Sequence, residues 1–168
     1  MQLPALRNAD TKTRLATYLN DHRAGASAGV ELARRLCRNN QDNEYGPPLE
    51  GIARDVEEDI EALEEVMSRF GVEPDPVKRA AAWSLEKVGR LKLNGQLLGH
   101  SPLSRLVELE GMTMGVSGKL AMWIVLNDLY ADDPRLDGID LANLVDRARD
   151  QRQTLESLRR QAAAEGLT

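Results

Sequence analysis

The sequence predicts an all-α protein, a bundle of amphipathic helices. Three observations point there. Apolar residues recur three and four apart through long windows, which places them on one face of a helix. The prolines fall between those windows or at their first residues. No stretch alternates Val, Ile or Thr with polar residues as a half-buried strand does. Aromatic residues make up only 4% of the chain. Leu, Val, Ala and Met must therefore fill the core, which suits helices better than sheets.

The first predicted helix covers Thr11 to Arg38. Leu15, Leu19, His22, Ala26, Val30, Ala33 and Leu36 or Cys37 share one face at helical spacing. Its middle, Ala24-Gly25-Ala26-Ser27-Ala28-Gly29, is built of small residues. Glycine inside a helix costs about 1 kcal/mol relative to alanine, so close approach of a neighbouring backbone is the expected compensation. A polar loop follows, ending in Gly46-Pro47-Pro48. The second predicted helix starts at Pro48, because proline fits only the first helical turn. It runs to Phe70 with the clearest amphipathic pattern in the chain, from Leu49 and Ile52 through Val56, Ile60 and Leu63 to Met67. Gly71 stops it.

Asp75-Pro76 reads as N-cap and first residue of a third helix reaching Leu97. Ser101-Pro102 reads the same way for a fourth, Pro102 to Tyr130. That helix is apolar nearly all round, with Met112, Met114 and Met122 among its residues, so it is expected at the centre of the bundle. Its methionines are expected to fill gaps in the core. A fifth helix covers Asp140 to Ala164, with Leu141, Leu144, Val145, Ala148, Leu155 and Leu158 inward and Arg152 among them.

The chain has 168 residues, the length of one domain. A domain of that size buries roughly 70% of the surface its unfolded chain exposes. The net charge of −5 favours solubility and argues against nucleic-acid binding. Cys37 is the only cysteine, which excludes an internal disulfide. The first ten residues lack the apolar core of a secretory signal. The longest apolar run, Leu120–Leu126, is far too short to span a membrane. A cytoplasmic location is expected. Charge is segregated: residues 49–70 carry eight acids and two bases, whereas residues 11–38 carry two acids and six bases, and residues 77–105 one acid and six. An acidic second helix set beside basic neighbours follows from this. The basic stretch Lys87 to Gly95 could also serve a regulatory adaptor as a partner surface.

Helical bundles place metal sites in their cores, and the di-metal type needs Glu-x-x-His pairs on two helices. The two histidines, His22 and His100, follow Leu19 and Leu97 at that spacing, so the pair is absent. The chain also shows no Gly-rich phosphate loop after a strand and no Cys/His zinc spacing. Several polar residues still fall on apolar faces: Asp59 on the second helix, His22 on the first, Glu110 on the fourth. A buried carboxylate requires a partner.

Tyr18-Leu19-Asn20-Asp21, Glu57-Glu58-Asp59-Ile60-Glu61-Ala62-Leu63 and Val107-Glu108 resemble segments of the ferritin-like superfamily, and within it the small bacterial ferritin-like stress proteins. The resemblance implies an up-and-down four-helix bundle, here with an additional or broken helix. It implies metal glutamates at Glu57 and Glu108. Other ligand positions fall on Ala26 and Ile60, Gly111 stands where a histidine would follow Glu108, and the last helix offers Arg149 to Thr154. The expectation is thus a ferritin-like bundle without a working di-metal centre or bound cofactor, non-catalytic, acting through a protein partner or as a homodimer. The alternative is a carboxylate-rich oxidase or metal-handling protein that binds iron or manganese through His22, Glu31, Glu57, Asp59, Glu108 and Glu110. It requires those groups to converge. Otherwise Asp59, His22, Glu110 and Arg152 form a buried polar cluster that sets helix register.

Overall fold

A computed structural model describes residues 4–75 and 101–168, with side chains from residue 10 onward. The predicted third helix, residues 76–97, and His100 lie outside the described residues, as does the basic stretch from Lys87 to Gly95. The described chain is all-helical: α1 Pro4–Asn40, α2 Gly46–Arg69, α3 Pro102–Tyr130 and α4 Leu141–Leu167, with one 3-10 turn at Pro134–Leu136. Among the described residues there is no strand, and no helix is long and apolar enough to cross a membrane.

The boundaries follow local chemistry. Gly71, at φ 64°, ends α2 as expected. Ser101 Oγ accepts from the Ser104 amide at 3.1 Å and starts α3 at the predicted residue. Asp140 caps α4 through the Asn143 amide at 2.9 Å. Helix α2 begins two residues before the predicted Pro48, because the turn admits Gly46 as its first residue. A Cβ there would sit 2.8 Å from the Asn40 carbonyl oxygen, so only glycine allows so tight a reversal. Helix α1 begins earlier than Thr11, at Pro4, where proline needs no amide partner.

Contacts between named residues give the helix directions. Tyr45 and Arg105 both bond Glu165, at 2.7 Å each, and Arg105 also donates to Asn40 at 2.7 Å. This gathers the end of α1, the starts of α2 and α3, and the end of α4. At the opposite end the Phe70 and Tyr130 rings meet edge to face at 5.0 Å. Helix α2 therefore runs antiparallel to α1, and α4 antiparallel to α3, while α2 and α3 are parallel. Asp75 and Ser101 lie at opposite ends: the Asp75 amide donates to Asn20 Oδ1 at 2.7 Å, and the first turn of α3 touches Gly166.

The acidic α2 does lie beside a basic α1, with Arg34–Glu57 at 2.6 Å between them and Arg23 paired with Glu64. Such half-exposed pairs each contribute under about 1 kcal/mol and mainly align the helices.

Helix α3 departs from the expected all-round burial. Leu106, Leu109, Met112, Val116, Leu120, Met122, Trp123 and Leu126 are buried. Met114 is 71% exposed and Leu129 68%, with Leu103, Val107 and Val125 also exposed. Two of the helix's three named methionines fill the core and the third does not.

The core is divided in two. One cluster gathers Leu19, Leu63, Val66, Met67, Trp123, Leu126 and Leu144. The other gathers Val30, Leu36, Leu49, Ile52, Leu109, Val116 and Leu155. A layer of polar side chains lies at the level between them.

Candidate functional site

Asp59 lies on the buried face of α2, between Val56 and Leu63, as its spacing predicts, and is 3% exposed. Its carboxylate accepts from three side chains. Lys119 of α3 and Arg147 of α4 donate to different oxygens, and Gln151 Nε2 of α4 donates to Oδ2 at 3.1 Å. The Gln151 carbonyl in turn accepts from Lys119. Asp59, Lys119 and Gln151 thus close a hydrogen-bonded triangle across three helices. Arg147 continues outward to Glu58 at 2.7 Å, near the surface. A carboxylate taken out of water is tolerated only when its oxygens are satisfied in this way.

Lys119 is reached by the same periodicity that places its neighbours. It falls three after Val116 and four before Trp123, both buried. Gln151 falls between Ala148 and Leu155 on the inner stripe of α4. Arg152, expected inward, is exposed, because one step along the helix turns the side chain about 100° away. Lys119, Arg147 and Gln151 are the residues that sequence reasoning missed. A cation and an amide at inward positions, opposite an inward Asp59, were the available signal.

Helix α1 contributes no charge to this layer. It presents Gly25, Ala26 and Gly29, and facing them α3 presents Gly115 and Gly118. The expected close approach of a backbone at Gly25 and Gly29 does not occur: a Cβ at either would meet nothing within 4 Å. The missing side chains leave a cavity of about 330 Å³. Its walls are largely apolar, from Val56, Ile60, Met112, Val116 and Met122, with Lys119 and Asp59 among its lining residues. Asp21 and His22 also line it. That volume is at the small end of ligand pockets, which are mostly apolar with a few placed polar groups.

Electrostatics single out two of these lining groups. Burial pushes the Lys119 ammonium below its ordinary range, and the adjacent Asp59 carboxylate opposes that shift. Burial likewise lowers His22, against the pull of Asp21. His22 stacks edge to face on Tyr18, with centroids 4.6 Å apart.

The candidate metal ligands disperse. Glu57 turns to Arg34 at 2.6 Å, with Glu31 beside the same guanidinium at 3.5 Å. Glu108 pairs with Arg35 at 2.8 Å. Glu110 faces Arg159 at 3.6 Å, and Asp59 is held by Lys119 and Arg147. Among the described residues no three His, Cys, Asp or Glu side chains come together as a metal would require. Cys37 is a half-buried free thiol.

Compared with known protein families, curated proteins and solved structures, the chain matches no family model and shows no significant similarity to any of those proteins or structures.

Proposed function

We propose that this protein is a non-catalytic binding protein of ferritin-like arrangement, whose mid-bundle cavity holds a small apolar molecule where a di-metal centre would otherwise sit. The observation that carries the reading is the cavity of about 330 Å³, largely apolar and bordered by the Lys119–Asp59 pair. Four long helices among the described residues support the bundle part of this reading. The acids named as metal ligands each face a cation, which favours a ligand other than iron or manganese.

A series of straight-chain alcohols tests this by displacement of an apolar fluorescent dye, N-phenyl-1-naphthylamine. Each added methylene from butanol to octanol is expected to tighten binding about fourfold, the value of about 0.8 kcal/mol per buried CH2. Ala26→Leu, which fills the cavity, should abolish displacement while the protein stays folded. Dye binding that is unchanged in Ala26→Leu would refute the reading.

A second reading is self-association or a protein partner. It is favoured by the exposed stripe Leu103, Val107, Met114, Val125 and Leu129 along α3. Sedimentation of the wild type against Met114→Lys/Leu129→Lys tests it: a monomer in both, with no partner retained, ends this reading.

A further inference from the structure

Resting on the proposed ligand cavity, we propose that Lys119 captures apolar aldehydes as a protonated imine, with Asp59 as its proton acceptor and counter-ion. Lys119 lines an apolar chamber, and a lysine desolvated in an apolar pocket can act as a nucleophile. An ammonium carries three donors. Asp59 Oδ2 and Gln151 Oε1 accept two, and no further acceptor for the third is found among the described residues. In this proposal that donor meets a carbonyl oxygen bound in the cavity. Methionine and aliphatic walls, from Met112, Met122, Val116 and Ile60, suit an alkyl chain.

Charge decides between a carbonyl and an acid. Asp59 and Glu58 already balance Lys119 and Arg147. A carboxylate ligand would add an unmatched buried charge to a cavity that Asp21 also lines. An aldehyde adds none. Its capture also leaves the charge count unchanged. The ammonium passes one proton to Asp59, and the free amine nitrogen attacks the carbonyl carbon. The carbinolamine takes that proton back on its hydroxyl and loses water, leaving a C=N bond with a proton on nitrogen. One positive charge precedes the reaction and one follows it, beside the same carboxylate. Gln151 holds that carboxylate at 3.1 Å throughout.

The test is octanal with cyanoborohydride, which reduces an imine to a stable secondary amine, followed by peptide mass mapping of the intact folded chain. Lys119 is one of five lysines, and the exposed Lys12 serves as an internal reference. Alkylation at Lys119 is expected to be saturable and at least about tenfold faster than at Lys12, because binding holds the reactants together. Excess octanol, with the same chain and no carbonyl, should protect Lys119 and leave Lys12 unaffected. Lys119→Arg should lose the adduct while Lys12 labels as before. Labelling at Lys119 no faster than at Lys12, or unprotected by octanol, overturns the capture. If octanol still displaces the naphthylamine dye in that case, the cavity reading stands without it. If neither the dye nor octanol binds, both fall.

Discussion

The Lys119 ammonium and the Asp59 carboxylate, sixty residues apart in sequence, are bonded to one another at the level that separates the two hydrophobic clusters. The buried polar layer at that level is organised around that bond. Arg147 and Gln151 complete the carboxylate's coordination, and the cavity begins where the side chains of α1 stop.

Removing one partner of this pair should be far worse than removing both. Asp59→Leu leaves Lys119 and Arg147 facing each other, and Lys119→Met strands Asp59; a stranded buried charge costs about 3–5 kcal/mol. The double variant Asp59→Leu/Lys119→Met leaves only Arg147, which already reaches Glu58 and solvent. Urea denaturation of the two single variants and the double should give a coupling of at least about 1 kcal/mol. Additive single losses would contradict the closed triangle.

Glycines in this chain divide by what surrounds them. Gly29→Ala should stabilise the protein by roughly 0.5–1 kcal/mol, since it removes helix flexibility and its Cβ meets nothing within 4 Å. Gly46→Ala should destabilise it, because the new Cβ would lie 2.8 Å from a carbonyl oxygen. Thermal melting of the two variants should move in opposite directions.

His22 predicts a pH dependence of definite sign. Burial lowers its folded-state pKa below the 6.5 of the unfolded chain, against the opposing pull of Asp21. Between those two values the unfolded chain binds more protons, so stability rises with pH there. The contribution is complete above about 6.5 and is lost as pH falls through the folded-state value. His22→Gln should flatten this part of the curve between pH 7 and 5, measured as the urea midpoint relative to wild type. An identical slope in both proteins would show that the nearby carboxylates and not His22 control it.

Elemental analysis of protein purified from metal-supplemented cells should find iron, manganese and zinc well below one atom per chain. Glu57, Glu108 and Glu110 would each have to release an arginine, and Asp59 a lysine and an arginine, before binding. Two atoms per chain, lost on Glu108→Gln, would reverse this conclusion.

Much of this architecture was legible in the sequence. Ser101-Pro102, Asp140 and Gly71 mark their helix ends because capping is a local matter of a few residues. The inward position of Asp59 was equally legible, since periodicity fixes the face of a helix. Its partners were not. They lie on α3 and α4, and which inward side chains share a level depends on helix direction and on the axial offset between helices. The parallel run of α2 and α3 sets both, and no local signal records it. The cavity was misread for a related reason. Gly25 and Gly29 are small whether a backbone approaches them or nothing does, and only the neighbouring helix decides which.

The described residues on either side of Asp75 and Ser101 form two antiparallel helical hairpins, α1–α2 and α3–α4. Each hairpin closes over a short loop, so each is a fast, local folding event. Their union is the non-local step, and Asp59 on one hairpin meets Lys119, Arg147 and Gln151 on the other. Docking them one helical turn out of step would set an aliphatic layer against a carboxylate with no donor. The central polar layer therefore acts as a proofreading key for assembly: two sticky hairpins that could slide along one another have a single alignment in which every charge finds its mate.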